Sequence, residues 1–261
     1  MNSELSYDPR REGADAPPAP QNFFSRLIGV YFSPGETFAG MASAPRPLAA
    51  IIALILLFVV SGMVGLSRAS FEQIAEQQLQ QRIASGQINE AQAEQQREAT
   101  RKMAPYMKYV IPIGSAIWAT IMVFAFAGLA KLLSMMMGIE NKYLPLVSVT
   151  AYSLLAVYIV SSVIFTILVF IKPVEEFDWS NPLASNLAAL LSAMGVEGLP
   201  SFVKALFTYV DVFYIWKVAL MAIGGAAVSH KLKTSSAMIY AGFVAFIIAL
   251  IGGVFGMLGG A

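Results

Sequence analysis

The sequence predicts an all-α, polytopic membrane protein with five transmembrane helices, an N-terminal interfacial amphipathic helix and a polar helical insert between the first two spans. Three observations predict this class. Hydrophobic residues make up 57% of the 261 residues and charged residues only 13%, whereas about a quarter of a soluble domain is charged. Uncharged apolar runs long enough to cross the hydrocarbon recur along the chain. A stretch rich in Gln and Glu separates the first two runs.

Composition also excludes several classes of function. The formal net charge is +1 and no basic cluster is present, so we expect no nucleic-acid partner. The chain has no cysteine and a single histidine, His230, which excludes disulfides, thiolate sites and a histidine-cluster metal site. His230 is interpreted as a residue of a short juxtamembrane loop. No Gly-x-Ser-x-Gly, His-Glu-x-x-His or paired intramembrane acid pattern occurs, so we expect no enzyme, no cofactor and no metal.

The N-terminal residues divide into two parts. Residues 1–21 are polar and rich in proline and alanine, and we expect them to be disordered. They lack the central apolar region of a cleavable signal peptide, so the first span is expected to remain as an anchor. Residues 22–45 are predicted to be helices at the membrane interface, because apolar residues recur there at helical spacing. These are Phe23, Phe24, Leu27, Ile28, Tyr31 and Phe32.

A second short helix is predicted to begin at a segment that we call the N-terminal motif, comprising Ser33, Pro34, Glu36, Thr37 and Phe38. Ser33 suits the N-cap and Pro34 the first helical position. Glu36 would complete a capping box and complement the helix dipole. We interpret the motif as a stop and restart that turns the chain from the interface into the bilayer. A direct ligand role for Glu36 is the alternative.

The predicted membrane domain comprises residues 46–261. Each predicted span is a mostly apolar run of about 20 residues or more, bounded by charged residues or proline. The five spans are 47–67, 109–130, 146–171, 207–229 and 235–258, and the polar insert occupies 68–108.

The polar insert is predicted to form a helical hairpin or an interrupted helix. Ser70 and Gln73 make a capping box, Ser85 and Gly86 mark a break, and Pro105 is expected to end the second half. The apolar stripe of the insert is thin. We therefore interpret the insert as a solvated spacer that rests on the bundle, with a coiled-coil partner site as the alternative.

The fourth predicted span carries two charged residues, Asp211 and Lys217. After Lys217 the uncharged run extends only about 12 residues to Ser229, which covers about 18 Å of a hydrocarbon core about 30 Å thick. Lys217 must therefore lie inside the membrane, near its middle, if this segment spans. Asp211 is predicted to lie within a turn of the start of the span.

Helical geometry predicts how these side chains are arranged around the fourth span. Lys217 lies about 240° around the axis from Asp211 with Tyr214 between them, so we predict a polar strip about 120° wide rather than one shared face. Gly224 shares the face of Lys217 and permits close approach of another helix, which predicts that this face points into the bundle. Phe213 and Trp216 occupy the adjoining side.

Two interpretations of this polar strip remain open. In the structural one, Lys217 snorkels or donates hydrogen bonds to the third span, at residues such as Ser148, Tyr152 or Ser153, and fixes the helix register. In the functional one, the three residues of the strip line a polar cavity that receives a lipid headgroup, an ion or a partner's charge.

The orientation is predicted from the loops. Lys and Arg are equally numerous on the two sides of the membrane. The short loop before the last span is basic, however, and the loop between the third and fourth spans is net negative. These loops predict a cytoplasmic N-terminus and a C-terminus on the outside.

Seven residues occur here in a recognisable order, Pro34, Thr37 and Phe38 before the first span and Asp211, Phe213, Trp216 and Gly224 in the fourth. With the five spans, this order resembles the Yip family, the Ypt/Rab-interacting membrane proteins, over the chain from about Phe23 to the last span. The resemblance implies a cytosolic N-terminus. Eukaryotic relatives are Golgi and ER proteins associated with Rab GTPases. We expect a bacterial member in the cytoplasmic (inner) membrane, to which that trafficking role does not transfer.

Two functions are compatible with these features. The first is a non-enzymatic scaffold or adaptor that contacts the lipid bilayer and other membrane proteins, or a second copy of itself. The alternative is a small transporter, a permease partner or a lipid-translocating protein that uses the polar strip Asp211, Tyr214 and Lys217. No inverted repeat, the usual sign of a secondary transporter, is visible.

Overall fold

The computed structural model describes residues 22–84, 86–196, 199–229 and 232–239, together with 241, 242, 245, 246 and 250. Within these residues the fold is helical and contains no β-strand. A short 3-10 helix, Val174–Glu176, follows the sixth α-helix. The α-helices are α1 (Phe23–Phe32), α2 (Pro34–Ser43), α3 (Leu48–Arg68), α4 (Phe71–Ala84), α5 (Glu90–Met136), α6 (Tyr143–Ile171), α7 (Leu187–Ala193), α8 (Ser201–Thr208) and α9 (Val212–Ser229).

Four of these helices, α3, α5, α6 and α9, are long and apolar enough to cross a membrane. They fall on the first four predicted spans. The fifth predicted span, 235–258, lies mostly outside the described residues, although residues 234–239 are helical. On α3 the exposed side chains recur at helical spacing and are apolar, as expected for a face that contacts lipid tails. These are Leu48, Ile52, Leu56, Val60 and Met63.

Helix α6 forms the centre of the bundle. It packs against α1, α2, α3, α5 and α9. Its N-terminal half is buried without interruption from Pro145 to Val157. A helix that is apolar on all sides can be surrounded in this way, and the largest cluster of buried side chains in the described residues is built around it.

Helix α5 corrects one prediction. It runs without a break through Pro105 and Pro112 for 47 residues, about 70 Å, so the prediction that Pro105 ends the insert is wrong. A proline inside a helix costs about 3 kcal/mol because one hydrogen bond is lost. Packing holds the helix on both sides of that loss, since α4 packs on α5 before Pro105 and α3 packs on α5 after it.

The polar insert consists of α4 and the first part of α5, with a break between them, as predicted. The Ser70 and Gln73 capping box is present, with Gln73 N–H to Ser70 Oγ at 3.2 Å and Ser70 N–H to Gln73 Oε1 at 2.9 Å. Gly86 adopts φ +71°, which favours glycine at the break. The insert rests on the loop after α6, where the Gln77 amide donates to the Phe177 carbonyl oxygen at 2.8 Å.

The fourth spanning helix begins later than the sequence predicts. Residues 201–208 form the separate helix α8, and α9 starts only at Val212. The chain breaks between them because its backbone pairs with a distant loop: Leu187 N–H donates to the Val210 carbonyl at 2.9 Å and Val212 N–H to the Ser185 carbonyl at 3.3 Å. A backbone committed to these bonds cannot continue the helical ladder.

Helices α1 and α2 form a tight hairpin that packs on α6 and α9. The buried Arg26 guanidinium closes it by donating to the Ala44 carbonyl oxygen at 2.7 Å. The Tyr31 hydroxyl donates to the Ala156 carbonyl oxygen at 2.7 Å. That carbonyl lies about 20 Å along α6 from its first residue, Tyr143. The end of α1 therefore meets the middle of a spanning helix. How α1 lies relative to the lipid headgroups stays a prediction.

The start of α2 corrects a further prediction. Ser33 is the N-cap and Pro34 occupies the first turn, but the Ser33 side chain makes no cap hydrogen bond, so the predicted capping box with Glu36 is wrong. The backbone of Ser33, rather than its side chain, makes the hydrogen bonds at this turn. Its N–H donates to the Gly29 carbonyl at 2.7 Å, and its carbonyl oxygen accepts from the Thr37 hydroxyl at 2.9 Å.

Candidate functional site

Asp211 holds the start of α9. One carboxylate oxygen accepts from the Tyr214 backbone N–H at 2.9 Å, which is the geometry of a helix N-cap. The other carboxylate oxygen accepts from the Ser185 hydroxyl. The Asp211 carboxylate therefore joins the helix to the loop that follows α6. This role can be recognised in the sequence, since an Asp directly before an apolar run is typical of a helix N-cap.

Lys217 lies one and a half turns into α9 and is 9% exposed. Its ammonium group lies over two aromatic rings, 4.5 Å from the centroid of Tyr214 and 5.1 Å from that of Phe126. Such contacts stabilise a cation without neutralising it. The predicted hydrogen bonds to Ser148, Tyr152 or Ser153 are not formed.

The three residues of the predicted polar strip line one cavity of about 320 Å³. The cavity lies between α6, α9 and the loop that connects them. The helical angle that predicted different faces for Asp211 and Lys217 assumed one continuous helix. Asp211 stands just before the first turn, so the helical angle from Lys217 does not apply to its side chain.

Sequence reasoning missed the other side of this cavity. Hydroxyl and amide groups from α6, the connecting loop and the end of α8 complete its polar lining. No local pattern distinguishes these residues from ordinary loop or core residues, because tertiary packing alone brings them to the strip. They are Tyr158, Ser161, Asn181, Ser185, Thr208 and Tyr209. Within the described part of the chain, no three His, Asp or Glu side chains gather as a metal site would require.

Gly224 and Phe38, two further residues singled out from the sequence, meet at a packing junction formed by α2, α6 and α9. A Cβ atom added at Gly224 would lie 2.2 Å from Val149 Cγ1 and 3.1 Å from Phe38 Cδ2, so only a glycine fits there. Phe38 is completely buried. We call Gly224, Val149 and Phe38 the glycine junction. The predicted close approach at Gly224 is thus formed, and its partner includes the N-terminal motif.

The two aromatic residues of the fourth span have different surroundings. The Trp216 ring lies 5.9 Å from the Tyr31 ring of α1, centroid to centroid, and so belongs to the contact between the hairpin and α9. Phe213 packs at the edge of the core and also lines the cavity. Asp211, Phe213, Tyr214 and Lys217 are therefore brought together at the cavity, while Trp216, Gly224 and the N-terminal motif pack elsewhere.

An apolar groove adjoins the polar cavity. It runs between α5, α9 and the described part of the C-terminal segment. Phe126 and Tyr214, the two rings beside the Lys217 ammonium, both line this groove, and Tyr214 lines the polar cavity as well. The polar and apolar spaces are thus neighbours, with Tyr214 lining both of them.

Comparison with known proteins gives one result. The model of the Yip1 domain matches residues 28–256, which is most of the chain. The comparisons with curated proteins and with solved structures found no match.

Proposed function

Since this chain belongs to the Yip1 domain family of membrane proteins, we propose that it is a non-enzymatic membrane scaffold or adaptor that works through contacts with lipids or with other membrane proteins. The spanning helices already imply contact with the bilayer. The proposal goes further, because it assigns the close packing of the bundle to holding a binding surface rather than to a reaction.

One observation carries this proposal: the residues by which the sequence resembles the family are used for architecture. Phe38 and Gly224 close the glycine junction, and Thr37 packs on Gly29. The Asp211 carboxylate caps α9 and binds Ser185. Catalytic side chains must be available to a substrate, whereas these are engaged in packing or capping, so they support a rigid body that presents a site.

The scaffold proposal is tested by purifying the tagged full-length chain in mild detergent and quantifying the lipids and proteins that stay bound. An unrelated multi-pass membrane protein with the same tag is the control. We expect at least one lipid class or one protein to be enriched over the control in every preparation. If neither is enriched in repeated preparations, the scaffold proposal is wrong.

A small transporter or lipid-translocating protein is the second candidate, and the cavity is the observation that favours it. Transport needs a polar space inside the membrane, and intramembrane charges often mark such a path. Lys217 and Tyr214 line a cavity of that kind at the start of α9.

Single cysteines test this second candidate, because the natural chain contains none. Tyr214→Cys and Lys217→Cys should react with a water-soluble thiol reagent in intact membranes if the cavity is wet. Leu154→Cys is the dry reference, since Leu154 is completely buried in the core. Protection of positions 214 and 217 to the level of the reference would exclude an aqueous path.

The proposal includes placement in the cytoplasmic membrane of a bacterium, with the N-terminus in the cytoplasm. The short basic loop before the predicted last span supports this orientation. A reporter that is active only in the cytoplasm should be inactive when it is fused to the C-terminus. An active reporter would show that the C-terminus is cytoplasmic and that the proposed orientation is wrong.

A further inference from the structure

We propose that the cavity beside α9 binds the headgroup of a zwitterionic aminophospholipid, with the phosphate at Lys217 and the primary ammonium group at Asp211, and that one acyl chain lies in the adjoining apolar groove. The inference rests on the scaffold function proposed above and names the lipid class that its site would hold.

The buried Lys217 ammonium needs an anion. All the ion pairs found among the described residues lie in the polar insert, and Lys217 takes part in none of them. No hydrogen-bond acceptor for its Nζ is found in the described part of the chain. A cation that is 9% exposed, supported by two ring faces and by the charge of Asp211 without a direct ion pair, is costly unless a counter-charge reaches it. A lipid phosphate at the cavity would supply that charge and accept its N–H groups.

Asp211 decides which kind of phospholipid fits. The cavity is lined by one acidic and one basic residue, Asp211 and Lys217, and by no other charged residue in the described part of the chain. A ligand of net charge zero that carries both signs matches this pair, whereas an anionic lipid would face the Asp211 carboxylate. Each Asp211 oxygen accepts one hydrogen bond. A carboxylate has about four acceptor sites, so an ammonium group can still bind.

The order of groups along α9 matches the order of groups along a phospholipid. Asp211 precedes the helix, and Lys217 lies about 9 Å further into the bundle. The apolar groove continues from there, lined by Val218, Met221 and Gly225 on successive turns of α9. Ammonium, phosphate and acyl chain follow one another in the same direction in an aminophospholipid that enters from the side of the polar insert.

Two further polar side chains of the cavity, Asn181 and Tyr209, are available to a headgroup. Asn181 accepts from Asn186 through its carbonyl oxygen at 2.9 Å, and its amide N–H₂ group has no acceptor among the described residues. The centroid of the Tyr209 ring lies 5.8 Å from that of the Tyr214 ring, so the cavity lining contains two neighbouring aromatic rings that a cation can contact.

The test uses the full-length chain, delipidated in detergent and then mixed with equal amounts of phosphatidylethanolamine, phosphatidylcholine and phosphatidylglycerol that carry identical acyl chains. Native mass spectrometry counts the lipids retained by each protein. We expect phosphatidylethanolamine to be retained about tenfold more than either of the others, since charge-assisted hydrogen bonds distinguish the headgroups.

Two variants separate the two halves of the site. Lys217→Met should lower the retention of all three lipids about tenfold because the phosphate contact is lost. Asp211→Asn keeps a good N-cap residue, so the fold is preserved, and it should remove the preference for phosphatidylethanolamine over phosphatidylcholine. Lys108→Met is the matched control, because Lys108 also lies over a tyrosine ring, Tyr109 at 4.9 Å, but outside the cavity.

Folding of each variant is checked by a single symmetric elution peak and by its thermal unfolding curve, and Lys217→Arg, which keeps the charge, should retain lipid. Equal retention of the three lipids by the natural chain, or a preference for phosphatidylglycerol, overturns the inference. An unchanged lipid preference in Asp211→Asn also overturns it. If lipid selectivity is absent while a protein partner is enriched over the tag control, only the lipid assignment fails; if neither is found, the scaffold proposal fails as well.

Discussion

The two halves of α9 differ in how they are packed. Around Gly224, the C-terminal half of α9 meets α6 and α2 so closely that a single added carbon atom would lie 2.2 Å from Val149. Around Lys217, the N-terminal half of α9 borders a cavity of about 320 Å³ lined by hydroxyl, amide and charged groups. One helix thus provides close packing at one end and an open polar space at the other. Close packing around Gly224 fixes the position of α9, and a fixed helix keeps the walls of the neighbouring cavity apart.

The largest expected effect tests the glycine junction itself. Gly224→Ala should destabilise the protein by about 1–3 kcal/mol, because its methyl group overlaps Val149 and Phe38. Thermal unfolding in detergent measures the change. Gly225→Ala is the matched control: an added Cβ atom there has nothing within 4 Å, so the substitution should be neutral or mildly stabilising.

A double variant sharpens this prediction. Val149→Ala removes the side-chain atoms that the new methyl group would meet, so it should recover part of the loss in the Gly224→Ala background. Equal stability of the Gly224→Ala and Gly225→Ala variants would show that α9 is not closely packed at Gly224.

The second largest effect is expected at the contact between α1 and α2, the hairpin that carries Phe38 of the glycine junction. Gly29→Ala would place a Cβ atom 2.2 Å from Thr37 Oγ1, and the Thr37 hydroxyl cannot move away without losing its bond to the Ser33 carbonyl. We expect a loss of about 1–2 kcal/mol, read from the unfolding temperature. Gly35→Ala, whose Cβ atom would meet nothing within 4 Å, should leave that temperature unchanged. A comparable loss in both variants would contradict the close contact of α1 with α2.

A smaller effect is expected at the cavity end. Asp211→Ala removes the N-cap of α9 and should cost about 1 kcal/mol, whereas Asp211→Asn should cost only a few tenths. Thermal unfolding of the two variants side by side measures the difference. Equal losses would mean that the charge of Asp211, rather than its capping bond, stabilises the bundle.

The smallest effect lies in the exposed polar insert, where Arg97 binds Glu76 at 2.9 Å. The Arg97 guanidinium, with the Gln80 amide, holds the pKa of the Glu76 carboxyl below its ordinary value. Since the pKa is lowered on folding, the pair stabilises the insert above the ordinary carboxyl pKa, and this contribution is lost as the pH falls through the lowered value. Because Glu76 is 43% exposed, water screens this pair, and Arg97→Gln should cost less than any of the destabilising substitutions above at neutral pH.

Amide hydrogen exchange in α4 measures this local loss, which should shrink toward zero below about pH 4. Lys102→Gln is the control, because Lys102 pairs with Glu98 in a fully solvated i, i+4 contact and should change nothing measurable. A loss at Arg97 as large as the one at Gly224 would remove the distinction between exposed charges and buried packing.

Features that depend only on neighbouring residues could be predicted from the sequence. Hydropathy over about 20 residues is a local quantity, so the membrane class and the positions of α3 and α6 followed from it. The Ser70 capping box is equally local. The prediction that Lys217 lies within the membrane also came from counting, because too few apolar residues remain after it for the helix to span without it.

Only the tertiary structure decided which distant residues meet. Backbone bonds from Ser185 and Leu187 end α8 and delay α9, and this break lets Asp211 and Lys217 share one cavity. The N-terminal motif reaches Gly224 across nearly the whole chain, and packing on both sides carries α5 through Pro105. Local patterns specify helices, but hydrogen bonds and close contacts between residues far apart in the chain decide where helices break and what their faces meet.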